Sequence, residues 1–275
     1  MTTGPEQLLE RESSWVTDLG AWFPDQGRVI FRGKEVFRDL KDFSWMAMWL
    51  YAITGRQFTA KQLRLFEGCW VLCTSYPDPR LWNNRVAALA GSSRSTAGLA
   101  LGAATAVSDA SIYGGRPCLG TSDFLHRTQQ QLDQGADLAE LLREEYRKHR
   151  TIPGYGRPLA RRDERIEPMM RLAESLGLAS GPYVALAFRI QKQLRELRLR
   201  FRMNAAALCA ALTADQGLSP REFYHFASLS FSAGIIACYV DAAARPEGTL
   251  FPLRCARLAY QGPPPRSWEP PSEPP

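Results

Sequence analysis

Acid–base and metal chemistry have few side chains to draw on in this sequence. Its 275 residues include only three histidines, His126, His149 and His225, and histidine is the side chain that most readily moves protons near neutral pH. Six cysteines, at positions 69, 73, 118, 209, 238 and 255, form no Cys-x-x-Cys pair and have no histidine at ligand spacing, so no metal is expected. Cys69 and Cys73 share a helix face and read as small buried apolar side chains. No phosphate-cradling glycine loop followed by Lys-Ser or Lys-Thr occurs, and no serine elbow of the hydrolase kind. The chain does have an excess of positive charge, +6 with a pI near 9.1. That balance calls for an anionic partner, and nucleic acid, phosphorylated cofactors and polycarboxylates all satisfy it.

The elements that must position such chemistry read almost entirely as helices. Gly27–Phe37 (GRVIFRGKEVF) alone reads as a hairpin, turning at Arg32-Gly33-Lys34 with Val36 resuming the apolar face. Trp45–Ile53 is an apolar helix stopped by Gly55, and Thr59 with Gln62 forms a capping box for a helix to about Leu72. Helices over Leu81–Ala90 and the small-residue stretch Thr96–Ala110 follow, then one opened by Asp137 and Glu140, and one over Arg165–Leu176 closed by Gly177. Ala187–Arg202 is amphipathic, with Ile190, Leu194, Leu197 and Phe201 on one face. Its other face carries Arg189, Lys192, Arg195, Arg198, Arg200 and Arg202, read as solvated, with Glu196 and Arg200 as an i,i+4 pair. Ser219-Pro220-Arg221-Glu222 opens a helix to about Ala244. The tail Gly262–Pro275 is half proline and is expected to be extended. No apolar window reaches spanning length, and no secretory segment opens the chain, so the expected compartment is the cytoplasm and no membrane partner is expected.

The segment Thr151-Ile-Pro-Gly-Tyr-Gly-Arg-Pro158 with Asp163-Glu-Arg165 resembles the active-site stretch of citrate synthases and citryl-CoA lyases. In that superfamily the pattern is Pro-Gly-Phe/Tyr-Gly-His, then Asp-Pro-Arg. Other segments follow in the family's order. Gly27…Phe31-Arg32-Gly33…Asp39-Leu40 is similar to its N-terminal hairpin, and Ile112-Tyr113-Gly114-Gly115 to its Leu-His-Gly-Gly. Met203-Asn204-Ala205-Ala206 matches Pro-Asn-Val-Asp, Phe231-Ser232-Ala233-Gly234 matches Arg-Thr-Pro-Gly, and Arg257…Tyr260-Gln-Gly-Pro263 matches the family's end. The resemblance covers nearly the whole chain and, by length, favours the short lyase-like branch. It implies an all-α, citrate-synthase-like fold with a short N-terminal hairpin. Residues 1–137 and 220–262 would form a large helical domain, 138–219 a small helical lobe, and 263–275 the proline-rich tail.

The departures from the pattern bear on chemistry. In the family an Asp takes the α-proton of the acyl-CoA, and two His stabilise the enol and the ketone oxygen. Here the two His correspond to Tyr113 and Arg157, and the Asp to Ala206, which has no proton acceptor. One carboxylate-holding arginine becomes Phe231, while Arg165 and Arg257 survive as carboxylate ligands. The resemblance further assigns Gly154, Tyr155 and Gly156 to the arm of a coenzyme A or acyl-CoA, and Arg161 and Arg162 to its phosphates. A homodimer joined through small-residue helices is implied, with no metal. Two accounts stand side by side: an acyltransferase or lyase making or breaking a C–C bond with a non-standard site, and an inactive scaffold that binds a ligand or partner. The enzyme would need a replacement base, for which His225, Asp163 and the substrate itself are candidates. A nucleic-acid protein ranks below both, since no helix-turn-helix or zinc finger supports it. Arg165→Ala is expected to abolish carboxylate binding and leave the fold intact.

Overall fold

The computed structural model describes residues 4–10, 12, 16–157, 162–250 and 255–268, and these are mostly helical. A short helix, α1 (Pro5–Glu10), precedes a small antiparallel sheet of β1 (Gly20–Phe23), β2 (Arg28–Phe31) and β3 (Lys34–Glu35) in that order. The expected hairpin is β2–β3, pairing Ile30 with Glu35 and turning through left-handed Arg32 and Gly33. Strand β1 pairs Gly20 with Phe31. Its residues after Gly20 are all exposed, so it lacks the alternation that marks a strand. Val36 does not extend the hairpin. It opens α2 (Val36–Asp39), because the Glu35 side chain accepts from Arg38 N and caps that turn.

The helices that follow start and stop where their capping residues allow. Ser44 accepts from Ala47 N to open α3 (Trp45–Thr54), and Gly55 closes it in the left-handed conformation. The Thr59–Gln62 capping box opens α4 (Ala60–Leu72). Next come α5 (Trp82–Ser92), α6 (Ala97–Val107), α7 (Gly115–Asp133), α8 (Leu138–His149) and α9 (Ile166–Leu176). Helix α10 (Pro182–Glu196) corrects the expected Ala187–Arg202. It starts earlier because the Asp215 carboxylate accepts from Tyr183 N and Val184 N, and it ends earlier because Arg198 turns left-handed. Arg198, Arg200 and Arg202 therefore leave the helix face. Glu196 meets Lys192 at 4.0 Å, in place of the expected pair with Arg200.

Helix α11 (Ala205–Ala214) lies at the centre, buried on every side except at Ala206. The last long helix is in fact two, α12 (Pro220–Ala227) and α13 (Ser232–Ala243), separated by a turn. Within the 24 residues Pro220–Ala243 one 18-residue window has a mean hydropathy of 1.5, which passes for a membrane span by length and composition only, where none was expected. Within the fold its Phe223, Phe226, Ile235 and Cys238 are core residues. Burial of apolar surface against α7 and α11 organises the main core, which takes in α3, α4, α8, α9, α10 and α12. That core runs across positions 138 and 219 without a break. Ala87, Ala104 and Ile235 hold α5, α6 and α13 together in a separate small cluster. The residues to 268 after the Cys255–Arg257 turn form no regular element and are exposed.

Candidate functional site

Two chain segments distant in sequence build the floor of a cleft. Residues 151–156 pair with 202–204: Gly156 N donates to Arg202 O (2.7 Å), Asn204 N to Gly154 O (3.0 Å), and Asn204 Nδ2 to Gly156 O (2.9 Å). The Asn204 side chain also accepts from Ala207 N and caps α11. The start of α11, with Ala206, is thereby held beside Arg157. Gly154 makes the approach possible, since a Cβ there would stand 2.6 Å from Thr121 and 2.7 Å from Ala207.

Above this floor is a cavity of about 490 Å3, lined by Tyr113, Arg157, Arg165, Ala206 and Phe231 among others. Five of the residues singled out in the sequence thus meet around one space. Gly114, in a left-handed conformation that would put a Cβ 1.7 Å from Ser108 O, turns the chain into α7 and leaves Tyr113 over the cavity. The Tyr113 ring stacks on Phe231 (5.5 Å between centroids) and stands edge-to-face with Trp82 (4.9 Å). Burial raises the pKa of its phenol, although Ser75 hydrogen-bonds it and pulls the other way.

The two guanidiniums at the cavity are already paired within the chain. Asp163, with 1% of its side chain exposed, accepts from Arg165 Nε (2.8 Å) and Nη2 (2.7 Å), and also from Ala205 N (2.8 Å) at the start of α11. Burial would raise the Asp163 pKa, but these donors outweigh it and hold the carboxyl below its usual range. Arg157 is paired with Glu164, which also accepts from the Tyr76 hydroxyl; these contacts hold Glu164 at about 2. Arg157 and Arg165 together carry two positive charges, and Asp163 and Glu164 two negative, so the group is neutral as a whole.

Among the residues lining the cavity there is no His, Asp or Glu. Its titratable neighbours hold their protons. The hydrogen bond that Cys73 donates to Cys209, followed by burial, raises the Cys73 thiol well above its ordinary value, and burial pushes Cys118 up to about 12. Cys69 and Cys209 adjoin them; Cys69 is buried in the core and Cys73 is partly buried against it, and no group of three or more His, Cys, Asp or Glu among the described residues could hold a metal. His225 is exposed on α12 and does not line the cavity, and Asp163 is committed to Arg165. Neither of these side chains is therefore in position to accept a proton inside the cavity.

The remaining assigned residues divide. Gly156 lines the cavity, but Gly154 and Tyr155 are buried, and the Tyr155 hydroxyl donates to Ala187 O (2.8 Å). Arg162 lines an adjoining pocket of about 390 Å3 together with Gly156, Arg157, Arg200 and Arg202. Arg161 lies outside the described residues. Arg257 is exposed on the terminal turn and does not line the cavity. Sequence reasoning missed Ser75, Tyr76 and Trp82, which lie in or beside a loop whose only local signal is the turn chemistry of Pro77-Asp78-Pro79. It also missed Arg200 and Arg202 as wall residues, because the helix was read through them.

Neither a family profile nor a curated protein matches this chain. Solved structures do. It is similar to the citryl-CoA lyase of Hydrogenobacter thermophilus with a TM-score of 0.78 and 18% identity, covering 93% of this chain and 97% of that one. It is similar to the Methanosaeta concilii ATP citrate lyase in complex with (3S)-citryl-CoA (0.70, 15%), over 96% of this chain and 45% of that one. Similarity to the Thermotoga maritima citrate synthase is 0.61 at 15% identity, over 84% of this chain and 61% of that one. At these identities the likeness speaks to architecture, and the chain has the citrate-synthase-like fold shared by citryl-CoA lyases and citrate synthases.

Proposed function

We propose that the cleft binds an acyl-CoA or a related thioester and holds it without abstracting its α-proton. The supporting observation is that Tyr113, Arg157 and Ala206, which the resemblance aligns with the family's proton-moving positions, converge on one cavity with no His, Asp or Glu among its described lining residues. The Methanosaeta concilii neighbour is in complex with (3S)-citryl-CoA. Arg162, Arg200 and Arg202 gather positive charge beside Gly156 and would take the phosphates of the coenzyme, with Arg161 joining them. The acyl end would pass Gly156 and Arg157 into the cavity, and a carboxylate on a second ligand would find only the edge of Arg165 that Asp163 leaves open. Binding calorimetry with coenzyme A and a series of its thioesters, combined with mass spectrometry of α-deuterium exchange in heavy water, tests this. Saturable binding with no exchange above the buffer blank is the expected outcome. Exchange, or a cleaved or condensed product, would make the protein a lyase or acyltransferase, with the Tyr113 phenol as its proton donor. Failure of every thioester to bind would end the reading.

The same reading carries an assembly and a setting. The exposed side of α6, with Leu99 67% accessible and open space over Gly98 and Gly102, is suited to close helix packing in a homodimer. Residues 138–219 would move as the small lobe on ligand binding, and Arg257 would act only once the terminal segment is placed by a partner. Unbridged Cys69, Cys73, Cys118, Cys209 and Cys238 suit a reducing compartment, and we assign the protein to the cytoplasm. Of the basic face read as solvated, Arg200 and Arg202 lie at the pocket beside Gly156, while Arg189, Lys192 and Arg195 stay on α10.

A further inference from the structure

We infer that the acyl group accepted by this cavity is apolar and uncharged, a medium-chain or aryl group, in place of a carboxylate-bearing one. The inference rests on the thioester reading for the carrier, and on the cavity itself for the acyl group. Its apolar walls include Trp82, Ile112, Tyr113, Phe223, Phe226 and Phe231, and Thr74, Asn204 and Ser230 add its uncharged polar groups. A dicarboxylic or tricarboxylic acyl group needs cations with unspent charge to offset the loss of its hydration. None is available here. Arg165 is held bidentately by the buried Asp163, and Arg157 is held by Glu164, so the four charges cancel. A carboxylate entering beside them would meet two like charges together with the two cations, and would leave water for aromatic faces.

The size and rim of the cavity point the same way. At about 30 Å3 per water in the liquid, some 490 Å3 holds on the order of fifteen waters, and an acetyl group would leave most of them in contact with aromatic rings. Ile112, 77% exposed, and Trp82, 38% exposed, stand at the opening as apolar side chains that a hydrocarbon chain would cover. Phe231 stacks on Tyr113, so a planar or linear apolar group slides along an existing aromatic surface. Burying each additional methylene in such a space strengthens binding by roughly fourfold at the ordinary transfer value.

Calorimetry with octanoyl-CoA, phenylacetyl-CoA, acetyl-CoA, succinyl-CoA and free coenzyme A decides the point. Octanoyl-CoA and phenylacetyl-CoA should each bind at least tenfold more tightly than acetyl-CoA and succinyl-CoA. Phe231→Arg should weaken octanoyl-CoA by at least tenfold while leaving free coenzyme A unchanged. Should that variant not fold by circular dichroism, the surface variant Ile112→Asp, which sits at the opening, should weaken octanoyl-CoA in the same sense. Succinyl-CoA binding as tightly as octanoyl-CoA would overturn the inference and leave the thioester reading standing. The octanoyl thioester of N-acetylcysteamine separates the two claims. If it binds while no coenzyme A species does, the coenzyme reading fails and the apolar pocket stands. If it and every acyl-CoA fail to bind, both fall.

Discussion

Arg165 shows how a residue read as a ligand holder is first a structural partner. Its guanidinium and the backbone N–H of Ala205 share the Asp163 carboxylate, so one buried anion ties the start of α9 to the start of α11. Removing the arginine strands that anion. The Arg165 side chain keeps 23% exposure, which puts the cost near the lower end for breaking a buried pair, about 3 kcal/mol. Arg165→Ala is therefore expected to lower the free energy of chemical denaturation by that amount. The pH dependence follows from the sign of the Asp163 shift. A carboxyl held below its usual range contributes stability that is present above its unfolded pKa and lost as pH falls through its folded one. Denaturation measured from pH 7 down to pH 2 should show a fall beginning below about pH 4, smaller in Asp163→Asn. An undiminished fall in that variant would assign the acid sensitivity to other carboxylates.

Among the elements, the register of residues 151–156 against 202–204 decides whether a site exists at all. Gly154 sets it, since its φ of +80° is left-handed and a Cβ there would run into Thr121 of α7 and Ala207 of α11. Gly154→Ala adds a methyl into contacts of 2.6 and 2.7 Å in a disfavoured conformation. The summed overpacking and backbone cost is roughly 2–4 kcal/mol. A loss of that size in thermal or chemical denaturation is the expected result, with weakened thioester binding in whatever fraction folds. Wild-type stability would show that the loop shifts freely and does not position Arg157. The same interplay of local and distant partners explains α10. Apolar periodicity continues to Phe201, yet the helix stops at Glu196, because left-handed Arg198 turns the chain so that Gly156 N can bond Arg202 O.

For the whole molecule, the cavity lies at the seam between the core built on α7 and α11 and the smaller cluster of α5, α6 and α13. Helix α6 packs on α5, whose Trp82 is one wall of the cleft. If α6 packs against a second copy, Leu99→Glu, which places a charge on an exposed apolar position, should convert a dimer to a monomer. Light scattering after gel filtration reads this directly, and a wild-type monomer at micromolar concentration would remove the dimer from the proposal.

Local chemistry in the sequence determined the helices and their ends: the Thr59–Gln62 and Ser219–Glu222 capping boxes, the Gly55 and Gly177 stops, and the left-handed turn of the β2–β3 hairpin at Arg32-Gly33. These depend on partners three or four residues away, which spacing alone reveals. The ordered motifs likewise placed Tyr113, Arg157, Arg165, Ala206 and Phe231 as members of one site. Only the tertiary structure decided the state of that site. That Asp163 and Glu164 neutralise its arginines, that Trp82 and Ser75 reach Tyr113, and that Arg257 stays outside the cavity are facts of distance between remote segments. Charge compensation and burial fall off within a few ångströms, and no periodicity along the chain encodes which distant side chain arrives there.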